Sequence, residues 1–95
     1  MSNQDTAMNL DSLILRTAFR HRIKESDSAA GQARFEAIVG QTVGGGEFGP
    51  AIGRLLTAGL IYDPVRLPAG ALQCHWCLEL TPEGVAMVNA MRPGG

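Results

Sequence analysis

The chain has 95 residues, of which 45% are hydrophobic and 18% charged, and its formal net charge is −1 at pH 7. A chain of this length forms one small domain with a modest hydrophobic core. The near-neutral charge argues against a protein that coats nucleic acid by charge alone. No apolar run approaches the roughly 20 residues that span a bilayer, so we expect no membrane partner. Two cysteines make no disulfide framework, and we therefore expect reduced thiols and a cytoplasmic location.

The first predicted helix covers residues 9–24 and follows a polar leader, residues 1–8, that we expect to be disordered. Apolar residues recur every four positions from Leu10 onwards, which is typical of a helix with one buried face. Asn9 or Asp11 can cap its start by accepting bonds from free backbone N–H groups.

A basic stripe runs along the other side of this predicted helix. Arg16, Arg20 and Lys24 follow one another at four-residue spacing, so a helix would place them on one face. Such a stripe is either a solvated face or a surface for phosphates or for an acidic partner, and the sequence leaves these alternatives open.

Two more helices are predicted in the middle of the chain. A loop over residues 25–32 precedes a short helix over residues 33–43, which the glycines at Gly44–Gly46 would end. The third helix is expected from Phe48 to Ala58, because Pro50 suits a first turn and a glycine follows the last turn.

A β-hairpin and a last helix complete the predicted domain, which spans residues 9–91. The predicted elements are a strand over residues 60–67, a turn at Pro68–Gly70, a return strand over residues 71–80, a helix from Pro82 to about Met91 with Thr81 as its N-cap, and a frayed tail over residues 92–95.

The motif CHWC in the return strand looks at first like half of a metal site. Side chains alternate along a strand, so Cys74, Trp76 and Leu78 would face inward while His75 and Cys77 face outward. The two cysteines therefore cannot hold one zinc ion, which needs four ligands. We expect Cys74 to be a small core residue and Cys77 a partly exposed thiol, and we expect no metal and no cofactor.

The order of the predicted elements resembles a winged helix-turn-helix domain. Two phrases carry the resemblance, RLLTAGLIYD at residues 54–63 and LELTPEG at residues 78–84. Similar phrases occur in MarR-like and PadR-like bacterial regulators, where the first ends the recognition helix and the second leads from the wing into the last helix. The resemblance therefore implies an α+β fold with three helices, a two-stranded wing and a C-terminal helix.

The resemblance also implies binding to duplex DNA, with the third helix in the major groove and the wing on the backbone or in the minor groove. Carried over by position, the wing contacts would be Arg66 and the Pro68–Gly70 turn. The basic stripe would add phosphate contacts. The candidate contacts of the third helix are Glu47, Phe48, Gly49, Ala51 and Arg54.

This sequence departs from that pattern in its charges. The third helix carries a single basic residue, Arg54, whereas phosphate contacts normally need several Lys or Arg side chains. Arg54 and Arg66 could equally be solvent-exposed residues or ion-pair partners of Glu47 and Asp63.

We do not expect an enzyme, because the sequence has no nucleophile–base motif, phosphate loop or paired carboxylates. Two hypotheses of a binding function remain. The first is a transcriptional regulator that binds duplex DNA as a homodimer, since dimers suit two-fold operators. The alternative is a winged-helix protein-interaction module that does not bind DNA.

Overall fold

The computed structural model describes residues 4–44, 46–67 and 69–91. The predicted α+β class is confirmed, with four helices and a three-stranded antiparallel sheet. The predicted tail at residues 92–95 and the first three residues of the predicted leader lie outside the described residues. The elements in chain order are α1 Gln4–Arg20, β1 Ile23–Glu25, α2 Ser28–Val39, α3 Phe48–Thr57, β2 Val65–Arg66, β3 His75–Leu78 and α4 Pro82–Met91.

The sheet has the order β1-β3-β2, so the last strand in the chain lies between the other two. In β1 and β3, Ile23 is opposite Leu78, and in β2 and β3, Arg66 is opposite His75. One face of the sheet is apolar and packs against the helices, with Ile23, Trp76 and Leu78 buried. The two outer strands are short, which limits the exposed hydrogen-bonding edge of the sheet.

The core is organised around three aromatic rings. The ring of Phe48 lies 5.4 Å from that of Phe35 and 6.0 Å from that of Trp76, with tilted planes in both pairs. These separations are typical of favourable aromatic contacts. The indole also lies directly over Gly31 in α2, where a Cβ would overlap the six-membered part of the ring. Because these residues belong to α2, α3 and β3, the cluster joins both middle helices to the sheet.

The first helix differs from its prediction at both ends. It begins at Gln4 and ends at Arg20, and the residues after it form a strand rather than a last helical turn. Lys24 therefore lies on β1, and the prediction that it continues the helical stripe was wrong. The physical reason is that Ile23 is fully buried opposite Leu78, and the ladder hydrogen bonds it gains there outweigh the helical spacing.

The second helix is displaced toward the N-terminus relative to its prediction. Asp27 caps it by accepting a hydrogen bond of 2.8 Å from the backbone N–H of Ala30, so residues 28–32 are helical where a loop was expected. It ends at Val39 and is followed by Gly40, whose φ of 78° is left-handed, rather than ending at Gly44–Gly46. A glycine adopts that conformation without steric cost, and this favours the earlier stop.

The third and fourth helices lie where the sequence predicted them. α3 runs from Phe48 to Thr57, and Gly59 follows it with a φ of 76°. The hydroxyl of Thr81 accepts a hydrogen bond of 3.1 Å from the N–H of Gly84, as an N-cap does, and donates one of 2.6 Å to the carbonyl of Gly59. One side chain therefore links the end of α3 to the start of α4.

The hairpin is shorter than predicted, and its return strand covers only His75–Leu78. Trp76 and Leu78 are buried as expected, but Leu72 is fully exposed and Cys74 is exposed. The prediction that Cys74 is a core residue was wrong. The reason is that the alternation of inward and outward side chains holds only where β3 is paired, and Cys74 precedes that segment.

The loop between α2 and α3 is closed by one carboxylate. Oε2 of Glu36 accepts hydrogen bonds from the side-chain amide of Gln32 at 3.0 Å and from the backbone N–H of Val43 at 2.9 Å. The same Gln32 amide donates to the carbonyl of Val43 at 3.3 Å. The bonds from Gln32 and from Val43 hold the pKa of Glu36 below its ordinary value, because they favour the charged carboxylate.

We expect Gly31→Ala to destabilise the protein by about 1–3 kcal/mol, because the added methyl group overlaps the indole of Trp76 and forces the core apart. Gly53→Ala is the matched control, since a Cβ there meets nothing within 4 Å. It should stabilise α3 by up to about 1 kcal/mol. Urea unfolding followed by the fluorescence of the single tryptophan measures both. A Gly31→Ala protein as stable as the original would contradict this packing.

We expect the thermal midpoint of unfolding to depend on pH through Glu36. Its folded pKa is lowered, so the carboxylate stabilises the fold above the ordinary Glu pKa, and that stabilisation is lost as the pH falls through the folded value. Differential scanning calorimetry from about pH 7 to about pH 3 should show a steeper fall for the original protein than for Glu36→Ala. Equal slopes would show that the Gln32 and Val43 hydrogen bonds do not discriminate between the two protonation states.

Candidate functional site

The outward face of α3 is smooth and nearly uncharged. The inward face carries four buried residues, which fix how the helix is rotated: Phe48, Ala51, Ile52 and Leu55. The exposed positions between them carry small or short side chains, with one arginine and one partly exposed leucine: Gly49, Pro50, Gly53, Arg54, Leu56 and Thr57. A partner could therefore approach the backbone of this face closely, but it would meet little charge there.

Two of the predicted DNA contacts on α3 are core residues. Only 3% of the Phe48 side chain is exposed, and Ala51 is completely buried. Their position at the start of the helix suggests DNA contacts, but the aromatic contacts of Phe48 turn that side toward the sheet. Of the other predicted positions, Gly49 is exposed and has no side chain, and Glu47 is exposed at the helix start.

Arg54 is exposed but paired across to α1. Its Nη2 donates to Oδ1 of Asp11 at 2.7 Å and its Nε donates to Oδ2 at 3.0 Å. This two-pronged geometry is the strong form of an arginine–carboxylate contact. The hydrogen bond with Asp11 raises the pKa of Arg54, and the charges of Asp11 and Glu47 act in the same direction. Arg54, the one basic residue expected to contact DNA from α3, is therefore paired with a carboxylate of the same domain.

Arg66 is also engaged within the fold, on the outer face of the sheet. Its Nη1 donates to Oε1 of Glu79 at 2.9 Å, and its Nε donates to the carbonyl of Asp63 at 3.2 Å. The guanidinium lies 5.7 Å from the centre of the Tyr62 ring, within the range of a cation–π contact. Arg66 thus folds back along the hairpin instead of extending from its tip.

Three large apolar side chains of the hairpin are exposed. Val65, Leu67 and Leu72 are 58%, 63% and 100% exposed, and β2, which carries the first of them, is an edge strand. We call these three residues the hairpin patch. Several exposed apolar side chains along one hairpin make it a candidate interaction surface.

The predicted basic stripe is divided between two surfaces. Arg16 and Arg20 are exposed on α1 beside α2 and α4, while Lys24 is exposed on β1 opposite Cys77. Arg54 lies against Asp11, half a helical turn or so around α1 from Arg16 and Arg20. The structure therefore does not bring the predicted cations onto one face with α3 and the hairpin.

An open groove of about 390 Å³ lies where Arg16 and Arg20 project, between α1, the end of α2 and α4. We call it the basic-rimmed groove. Its lining contains no acidic residue: Leu13, Arg16, Thr17, Phe19, Arg20, His21, Ile38, Val39 and Val88.

The cysteines do not form a metal site. Among the described residues no group of three or more His, Cys, Asp or Glu side chains could hold a metal ion. Cys77 is a half-buried free thiol, as expected, and Cys74 is an exposed one. The buried Nδ1 of His75 has no hydrogen-bond partner within the described part of the chain.

Several important residues were missed by the sequence interpretation. Asp11 was considered only as a helix cap, and Glu79 only as part of a strand, yet they pair with the two arginines. The hairpin patch was also missed. The apolar residues around the turn could have indicated it, because no Lys or Arg lies between Arg66 and the return strand.

Comparisons with protein-family models, with curated proteins and with solved structures gave no match. Over residues 4–44, 46–67 and 69–91, no helix combines the length and the hydrophobicity that crossing a membrane requires.

Proposed function

We propose that this chain is a winged-helix domain. The support is the order of elements, in which a short strand separates the first two helices and the hairpin follows α3. The central position of β3 in the sheet is compatible with the same arrangement. In this proposal α2 and α3 are the helix-turn-helix pair and residues 65–78 are the wing.

We further propose that the domain is a binding module for another protein and has no catalytic role. The observation that carries this is that the cations of α3 and of the wing, Arg54 and Arg66, are both held by carboxylates of the domain itself. Duplex DNA is bound chiefly through several free Lys or Arg side chains on phosphates. The face that would meet DNA offers none of these from Arg54 or Arg66 without breaking an ion pair.

The hairpin patch is direct support for the proposal that the partner is a protein. Val65, Leu67 and Leu72 present apolar surface, and removing that surface from water favours association. A wing of this composition fits an apolar protein surface better than it fits a phosphate backbone.

A second candidate is the regulator that binds duplex DNA as a homodimer. The observation in its favour is the uncovered face of α3, where Gly49 and Gly53 would let the helix approach the bases closely. It requires Arg54 to leave Asp11, so the two candidates predict different effects of releasing that arginine: stronger DNA binding for the regulator and no DNA binding for the protein-binding module.

The first test is fluorescence anisotropy with a duplex of roughly 30 base pairs, about three helical turns, at about 50 mM and 200 mM salt. We expect no salt-sensitive binding by the original protein, and none by Asp11→Asn, which frees Arg54. The DNA candidate instead predicts binding that Asp11→Asn strengthens and Arg54→Ala weakens. That result would overturn the protein-binding proposal.

The second test concerns the partner. Crosslinked partners captured from a cell extract would be identified, purified and bound again to the pure domain. We expect Leu67→Asp with Leu72→Asp to weaken the reconstituted complex by at least about tenfold, which is about 1.4 kcal/mol, because charges would enter an apolar interface. Ala86→Asp, exposed on α4, is the matched control and should leave the affinity unchanged. Equal effects of both changes would exclude the hairpin patch as the interface.

A further inference from the structure

The basic-rimmed groove has an apolar floor. Leu13, Ile38 and Val39 pack partly buried against the core, and Val88 is almost completely buried below them. Phe19 forms one wall and is 41% exposed. A large aromatic side chain left this exposed beside other apolar residues is costly in water, so covering the groove would be favourable.

The rim of the groove is positively charged and unbalanced. Arg16 and Arg20 are exposed one helical turn apart on α1, and the ion pairs within the described residues are those of Arg54 and Arg66. No acidic side chain lines the groove. The protein as a whole is nearly neutral, so this local excess of positive charge is a specific feature of this surface.

We propose that the basic-rimmed groove binds an acidic amphipathic α-helix of another protein. The floor matches apolar side chains at spacings of three and four residues along such a helix, and Arg16 with Arg20 matches carboxylates at its edge. The exposed wall and rim leave the groove too open to enclose most of a small molecule, as ligand pockets do.

A second copy of this chain is a poorer occupant. A symmetric dimer brings the same patch of each copy together, so Arg16 and Arg20 would face their own equivalents. Such like charges repel each other where water is excluded. A polyanion is also a poorer occupant, because phosphates would use the arginines and leave the apolar floor uncovered.

The groove is a second surface, formed by α1, α2 and α4, whereas the hairpin patch belongs to the sheet edge. Binding at the groove therefore does not depend on binding at the hairpin patch. The two proposals can fail separately, because Leu67→Asp with Leu72→Asp changes the hairpin patch and leaves the basic-rimmed groove intact.

The test uses three fluorescent peptides of about 18 residues, since shorter isolated helices are marginal in water. The first has leucines on one face and glutamates elsewhere, the second has glutamines for the glutamates, and the third has serines for the leucines. Anisotropy with the full chain should show the first peptide binding at least about tenfold more tightly than either of the others.

The matched variants separate local charge from total charge. Arg16→Glu with Arg20→Glu should weaken binding of the first peptide by at least about tenfold. Lys24→Glu with Arg34→Glu makes the same change in net charge at exposed positions that do not line the groove and should have less than about a twofold effect. Circular dichroism would establish that both variants remain folded.

Each other outcome would overturn the proposal. Equal weakening by both double variants would indicate attraction of the peptide to total charge, and equal binding of the serine peptide would indicate a polyanion site. Displacement of the peptide by duplex DNA, with the same dependence on Arg16 and Arg20, would also assign the groove to a polyanion. A dimer in sedimentation equilibrium that the groove variant alone dissociates would assign the groove to a second copy.

Discussion

The packing of Trp76 against Gly31 is the contact on which the arrangement of the domain depends. The indole occupies space that any side chain at residue 31 would fill, so α2 can approach the sheet closely only because that residue is a glycine. Phe48 then packs against the same indole and brings α3 into the cluster. The rotation of α3, and therefore which of its residues face solvent, is a consequence of this cluster.

Local signals in the sequence predicted some elements accurately and others poorly. α3 and α4 have end signals that act within a few residues, such as Gly59 after the first and Thr81 before the second, and their positions are confirmed. β1 has no such signal, because its three residues become a strand only through pairing with β3. The helical spacing of Lys24 with Arg20 was therefore misleading.

The candidate site was less predictable than the fold, because a charge is neutralised by whatever the fold places beside it. Arg54 and Asp11 are 43 positions apart in the chain, and nothing in either local sequence indicates that they meet. Glu79 lies 13 positions from Arg66, and the hairpin register brings the two within reach. The same limit applies to Phe48, whose position in the chain suggested a DNA contact while its hydrophobicity favoured the core.

The double role of Thr81 has a consequence for how this domain can change. Its hydroxyl bonds to the carbonyl of Gly59 and its backbone N–H bonds to the carbonyl of Leu60, at 3.1 Å. These two hydrogen bonds therefore join Gly59 and Leu60, where the hairpin segment begins, to the residue just before α4. The segment between Arg66 and His75 can be lengthened, shortened or replaced without moving α3 relative to α4, because the buried residues Ile61, Trp76 and Leu78 lie outside it. The sequence and length of the hairpin tip can therefore change during evolution while the helices keep their arrangement.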